Sequence, residues 1–196
     1  MSTIIQDGTG SKKTARVTDK NRILVDSITE ERAVYNSIEE GNTFVITTGF
    51  LSFTGVTSQE DGVIYIKNTS SKKMLIHHVK LWSGTASQIA KITMYKNSTT
   101  GTLISSAIDA TVENINFSSS NDYQGLAYKG DGTNLTVTDG DVWGAHYLGV
   151  GNQQMLMFMW NGALVLERNN SLAVTVEAPN GVNFNLICEI EAYFEE

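Results

Sequence analysis

From about Gly41 to the C-terminus, short β-type runs alternate with clusters of Asn, Gly, Ser, Thr and Asp, with no helical period between them. The last run shows the pattern most plainly. Phe184, Leu186, Cys188, Ile190, Ala192 and Phe194 are apolar, and Asn185, Ile187, Glu189, Glu191 and Tyr193 fall between them. A strand sends alternate side chains to opposite faces, so this spacing predicts one dry face and one mostly wet face. Strands are expected at about 43–54, 62–68, 74–83, 88–96, 103–106, 111–117, 123–129, 134–138, 142–148, 155–160, 163–168, 171–178 and 183–194. The junctions carry turn residues: Asn97 to Gly101, Gly130-Asp131-Gly132, Asp139-Gly140-Asp141, Asn161-Gly162 and Asn180-Gly181. Asn161-Gly162, between two apolar runs, predicts a two-residue hairpin. The only proline, Pro179, follows a strand, where it removes no ladder bond. Strands this frequent predict an all-β, antiparallel sandwich, jelly-roll-like, over residues 43–196.

Residues 1–42 differ from this body. They are polar, with seven acidic and six basic residues, and five of the basic ones lie between Lys12 and Arg22. Ala15-Arg16-Val17 and Arg22-Ile23-Leu24-Val25 flank a polar turn and predict a hairpin. Thr29 to Glu40 fits either a short helix capped by Ser27 or Thr29, or an irregular extended segment. The segment has too little apolar surface to fold alone, which makes it an extended N-terminal arm that must lie along its own body, a neighbouring subunit or another protein.

The whole chain has 196 residues, is 41% hydrophobic and carries a formal charge of −7. Such a chain can bury a real core. Its acidity argues against a broad phosphate-binding role, so no direct nucleic-acid contact is expected. No run reaches the ~18 apolar residues of a membrane span, and the start lacks the pattern of a signal peptide. Synthesis in a cytoplasm without membrane contact is therefore expected. The single cysteine, Cys188, excludes an internal disulfide and a cysteine-based zinc site, and its place on the dry face predicts a buried thiol. The Asn-X-Ser/Thr triplets at Asn68, Asn97, Asn116, Asn134 and Asn169 read as turn chemistry.

No motif supplies nucleophile, base and stabiliser together, so no enzyme is expected. Gly8-Thr9-Gly10-Ser11-Lys12-Lys13 lacks phosphate-loop spacing. Asp131, Asp139 and Asp141 fit turn hydrogen bonding better than calcium binding. His77 and His78 are adjacent, so a regular strand sends them to opposite faces and they cannot chelate one metal together without distortion. With His146 they are the only histidines, and no metal or cofactor is expected. Trp82 and Trp143, each beside a small residue near a strand end, are candidate glycan contacts. Met155 to Trp160 is apolar on both faces, which marks it as an oligomer interface or a strand buried on both sides. Its candidate interface residues are Met155, Met157, Phe158, Met159 and Trp160, with the methionines on one face and Leu156, Phe158 and Trp160 on the other.

Several phrases of the chain resemble a family of small β-rich virion structural proteins of tailed bacteriophages. At the front these are Asp7-Gly8-Thr9-Gly10, Ala15-Arg16-Val17 and Asn21-Arg22-Ile23-Leu24-Val25. In the body they are Ile64-Tyr65-Ile66-Lys67-Asn68, Met94-Tyr95-Lys96-Asn97 through Gly101-Thr102-Leu103-Ile104, and Val165-Leu166-Glu167. The closing Glu189-Ile190-Glu191-Ala192-Tyr193-Phe194 belongs with them. The phrases are structural, and the family has no active-site residues to transfer. The resemblance implies a repeated, trimeric part of a phage particle. Decoration of the outer head comes first, and a head-fibre, neck or tail component with a host-glycan role is the alternative. On this reading the arm docks on the major capsid protein or another virion protein. Lys12, Lys13, Arg16, Arg22, Ile23, Leu24 and Val25 are the candidate docking residues.

Overall fold

The computed structural model describes residues 4–6, 14–17, 23–24, 40–55, 59–86, 89–106, 108–133, 135–149, 151–152, 154–178 and 180–195. The chain forms two compact units, Met1–Glu31 and Arg32–Glu196. In the first, β1 (Ile4–Gln6), β2 (Thr14–Val17) and β3 (Ile23–Leu24) make a small antiparallel sheet with β2 in the middle. The expected hairpin is there, with Val17 opposite Ile23. β1 is a strand that the sequence pattern does not predict. The docking candidates Lys12, Lys13, Arg22 and Val25 and the Thr29–Ile38 stretch lie outside the described residues. So do the side chains of Arg16, Ile23 and Leu24.

The second unit holds β4 (Thr43–Thr47), β5 (Leu51–Thr54), β6 (Asp61–Asn68), β7 (Lys73–Ser83), β8 (Thr85–Ala86) and β9 (Ala90–Lys96). One turn of helix, α1 (Thr102–Ser105), follows. Then come β10 (Thr111–Asn114), β11 (Gly125–Lys129), β12 (Asp141–Leu148), β13 (Gly151–Asn152), β14 (Met155–Leu166), β15 (Ser171–Glu177) and β16 (Asn183–Glu195). One sheet runs β10-β4-β16-β7-β14, with β5 also on β16, and the other runs β11-β6-β15-β9-β12. All these pairs are antiparallel. Setting aside the short β5, β8, β10, β11 and β13, one sheet takes the first, last, third and sixth strands of the body. The other takes the second, seventh, fourth and fifth. That interleaving is the double Greek key of a jelly roll.

The core lies between the sheets. Phe44, Ile46, Met74, Ile76, Val79, Leu81, Leu186, Cys188, Ile190 and Phe194 meet Ile64, Ile66, Ile92, Met94, Leu172, Val174 and Val176 across it. Each fully buried side chain of this kind contributes about 1.5–3 kcal/mol of transfer free energy. β16 is buried at alternate positions as its sequence predicts. The outer face of the β6-β15-β9 sheet is covered in part: Tyr65, Leu103 and Ala173 form a second cluster flanked by Leu135 and Val137.

Four expected features differ. The run at 103–106 is α1, because Gly101 (φ 135°) turns the chain so that Leu103 is fully buried on the sheet. Residues 135–138 form no strand; their backbone instead serves α1 and β6, as in the Leu103 N–H bond to the Thr136 carbonyl. The 43–54 run breaks at Gly49 (φ 63°) into β4 and β5. Asn161-Gly162 makes no hairpin. β14 continues through it, because β7 pairs with both halves, Met159 opposite His78 and Leu164 opposite Ile76. The residues between oppose a single residue of β7, His77. Gly162 takes φ 80°, and a Cβ there would collide with the Tyr193 hydroxyl.

Candidate functional site: the outer face at β14, β7 and β16

β14 and β12 are the last strands of their respective sheets, and they lie on the same side of the sandwich. Trp143 of β12 and Trp160 of β14 have ring centroids 5.1 Å apart, and His146 of β12 and Phe158 of β14 have theirs 4.5 Å apart. Both of these strands expose apolar side chains. Met155, Met157 and Met159 are 56%, 36% and 56% exposed, and Val142, Trp143, Tyr147 and Val165 are also exposed. Leu156, Phe158, Trp160 and Leu164 point the other way and pack against the core. Of the candidate interface residues, the methionines therefore form the accessible row, and Phe158 and Trp160 support it from inside.

Across the same face, Met155 stands opposite Trp82, Met157 opposite Lys80 and Met159 opposite His78. On the other flank of β7, Glu189 of β16 stands opposite Lys80 and Glu191 opposite His78. Lys80 Nζ lies 3.1 Å from Glu189 Oε1 and 5.9 Å from the centre of the Trp82 ring.

The histidines do not behave as adjacent residues of a regular strand. On β16, Glu191 and Ala192 are consecutive, but their partners on β7 are His78 and Ile76. His77 is the extra residue of a bulge, where two residues oppose one. His77 Nδ1 and His78 Nδ1 are 3.0 Å apart. Glu191 Oε1 is 3.4 Å from His77 Nδ1, and Glu191 Oε2 is 3.7 Å from His78 Nδ1. This bulge is the distortion that two adjacent histidines need to face one ion: His77, His78 and Glu191 each place one donor atom within 4.8 Å of the other two. His78 is 3% exposed. Burial pushes its pKa below the ordinary imidazole value, against the pull of Glu191. Glu189 and Glu191 were legible only as wet-face residues of the last strand, since strand pairing alone brings them to the histidines.

The remaining sequence candidates are dispersed. Trp82 and Trp143 do not form one platform: Trp82 pairs at the Met155 end of β14, while Trp143 lines a cavity of about 150 Å3 with Leu164 and Leu166 at the other end. The Cys188 thiol is buried in the core, which raises its pKa. Asp139 is a turn residue: Oδ1 accepts the Thr99 and Thr100 N–H groups at 2.9 Å each, and Oδ2 accepts the Thr99 hydroxyl at 2.6 Å. Asp131 Oδ1 accepts the Thr133 N–H at 2.8 Å. Asn97 and Asn169 take positive φ, as turn residues do. Among the described residues, no helix is long and apolar enough to cross a membrane.

No family model matches the chain, and no curated protein matches it. Among solved structures it is similar to the infectious bursal disease virus VP2 subviral particle at 8% identity and a TM-score of 0.19, covering 78% of this chain and 41% of that one. It is also similar to the infectious bursal disease virus Gx strain at 11% identity and a TM-score of 0.19, covering 97% of this chain and 46% of that one. The chain spans less than half the length of either, and a similarity of this size carries nothing about fold or function.

Proposed function

We propose that the chain is a structural component of a tailed-phage virion, an auxiliary protein that decorates the capsid exterior as a homotrimer. Residues 1–42 dock it on the major capsid protein or another virion protein, and it performs no catalysis. It is made in the host bacterial cytoplasm and resides in the virion. One observation carries the reading beyond the sequence resemblance. A jelly-roll sandwich ends in a long strand, β14, which among the described residues pairs with β7 alone and carries an outward row of Met155, Met157 and Met159. Unpaired apolar edges of this length recruit other chains unless covered. A repeated assembly supplies that cover. A net-negative body also suits an outer position better than contact with packaged DNA. The exposed Trp143, backed by Trp160 beside a cavity, favours as second reading a neck, tail or head-fibre part that holds host glycan.

Immunogold electron microscopy of intact virions tests the proposal. Label over the head is the expected result. Label confined to neck, tail or fibres would replace decoration with the second reading. No label on intact or opened particles would overturn the structural role.

A further inference from the structure

We infer that His77, His78 and Glu191 form a binding site for one zinc-class divalent cation on the outer face of the sandwich. The role is separate from the assembly role proposed above and does not depend on it. Tetrahedral zinc with ligand bonds of about 2.0–2.1 Å places neighbouring donor atoms about 3.3 Å apart. Here His77 Nδ1 lies 3.0 Å from His78 Nδ1 and 3.4 Å from Glu191 Oε1, and one donor atom from each of the three residues lies within 4.8 Å of the other two. Two of the three donor spacings are thus close to what an ion imposes, and a small shift of the Glu191 carboxylate brings in the third. The Glu191 carboxylate spans the gap, one oxygen toward each ring.

The chemistry of the donor set points the same way. Two imidazoles and a carboxylate suit zinc and its neighbours in the first transition row better than calcium or magnesium, which prefer all-oxygen cages. Coordination through Nδ1 leaves each ring proton on Nε2 and needs the Nδ1 lone pair, so any Nδ1 proton leaves as the ion binds. A ligating histidine usually hands its other N–H to a carboxylate, which fixes the ring. His78 Nε2 is buried without a hydrogen-bond partner and lies 3.6 Å from Glu189 Oε1, which Lys80 holds from the other side. That is the carboxylate-histidine arrangement, ready to tighten once Nδ1 is occupied. The site is fixed by the bulge: only the extra residue in β7 turns both rings to the face that carries Glu191. Side-chain exposures of 14% for His77 and 20% for Glu191 leave the ion reachable from solvent. Three protein donors leave at least one position for water or for a group from another molecule.

Isothermal titration of the full chain with Zn2+ alone should show one saturable site per chain. Co2+ alone should give visible ligand-field absorption of a four- or five-coordinate ion. Glu191→Gln and His77→Gln should each weaken Zn2+ binding at least tenfold, and His146→Gln should leave it unchanged. Circular dichroism of each variant separates lost binding from lost folding. Because Glu191 is partly exposed, its variant decides the question if a histidine variant does not fold. No saturable Zn2+ binding, binding that Glu191→Gln leaves intact, or an equal loss in His146→Gln would overturn the site.

Discussion

Glu60, just ahead of β6, is the acceptor at the centre of a polar cluster on the outer face of the β6-β15-β9 sheet. Its Oε1 accepts from Lys91 Nζ at 3.1 Å and Thr93 Oγ1 at 2.9 Å, and its Oε2 accepts from Tyr95 Oη at 2.7 Å and Thr175 Oγ1 at 2.8 Å. Glu60→Ala removes the acceptor of all four bonds. Thr93 is 2% exposed, so its hydroxyl loses its partner out of reach of water, at about 1–3 kcal/mol. Thr175 has a weaker alternative, the Thr93 carbonyl at 3.4 Å, and Lys91 keeps Glu177 at 3.6 Å. Half-buried Tyr95 can turn to water, so these three lose about 0.5–1 kcal/mol each. The sum is about 2.5–6 kcal/mol, against a total stability of about 5–15 kcal/mol. At about 2–4 °C per kcal/mol for a chain of this size, the melting temperature should fall by about 10 °C at pH 7. Differential scanning calorimetry of both proteins measures it.

The pH dependence of that difference is a second signature. Burial alone would raise the Glu60 pKa, but the bonds from Tyr95, Thr175, Lys91 and Thr93 together hold it below the ordinary carboxylate value. A folded pKa below the unfolded one adds stability above the unfolded value and loses it as pH falls through the folded one. The gap between wild type and Glu60→Ala should therefore narrow on acidification below about pH 4. A melting temperature lowered by less than about 2 °C at pH 7 would refute the reasoning, since it would mean that the hydroxyls find equal partners elsewhere.

Two further outcomes follow from the face and the turns. Met157→Asp, on the exposed row, should leave the fold intact and shift the mass measured by analytical ultracentrifugation toward monomer, whereas Phe158→Asp, facing the core, should prevent folding, because it buries an unpaired charge. Equal oligomeric mass and melting for wild type and Met157→Asp would refute assembly through this row. The Thr99 hydroxyl first, then the Thr100 and Thr99 amides, hold the Asp139 pKa down to about 2. Asp139→Ala should melt below wild type at pH 7, with a gap that narrows under about pH 4 and closes below about pH 2 in a thermal melt against pH.

What the sequence made legible was whatever depends on one strand at a time. The alternation in β16 gave the wet and dry faces and the buried thiol of Cys188, because burial on one face writes a period of two into a single segment. The methionine row of β14 separated from Leu156 and Phe158 for the same reason. What stayed hidden depends on two strands. Asn161-Gly162 fits a hairpin and a bulge equally well by local chemistry, since both need φ > 0 at the glycine, and only pairing of β7 with both halves of β14 decides. Glu60 is remote in sequence from Thr175, and nothing local brings them together.

The histidine pair stands between these cases. Adjacent residues face opposite ways only while the strand stays in phase. In β7 the inward positions are Met74 and Ile76, then Val79 and Leu81: even numbers before the histidines and odd numbers after them. A change of parity inside one apolar run is the trace that an extra residue leaves in a sequence, because a bulge adds one residue without moving the core face. The phase slip falls at His77-His78, the one place where it turns two imidazoles to the same side. The shared face of the histidines was thus written in β7 itself. Their meeting with Glu191 was not, because it also needs the register of β16.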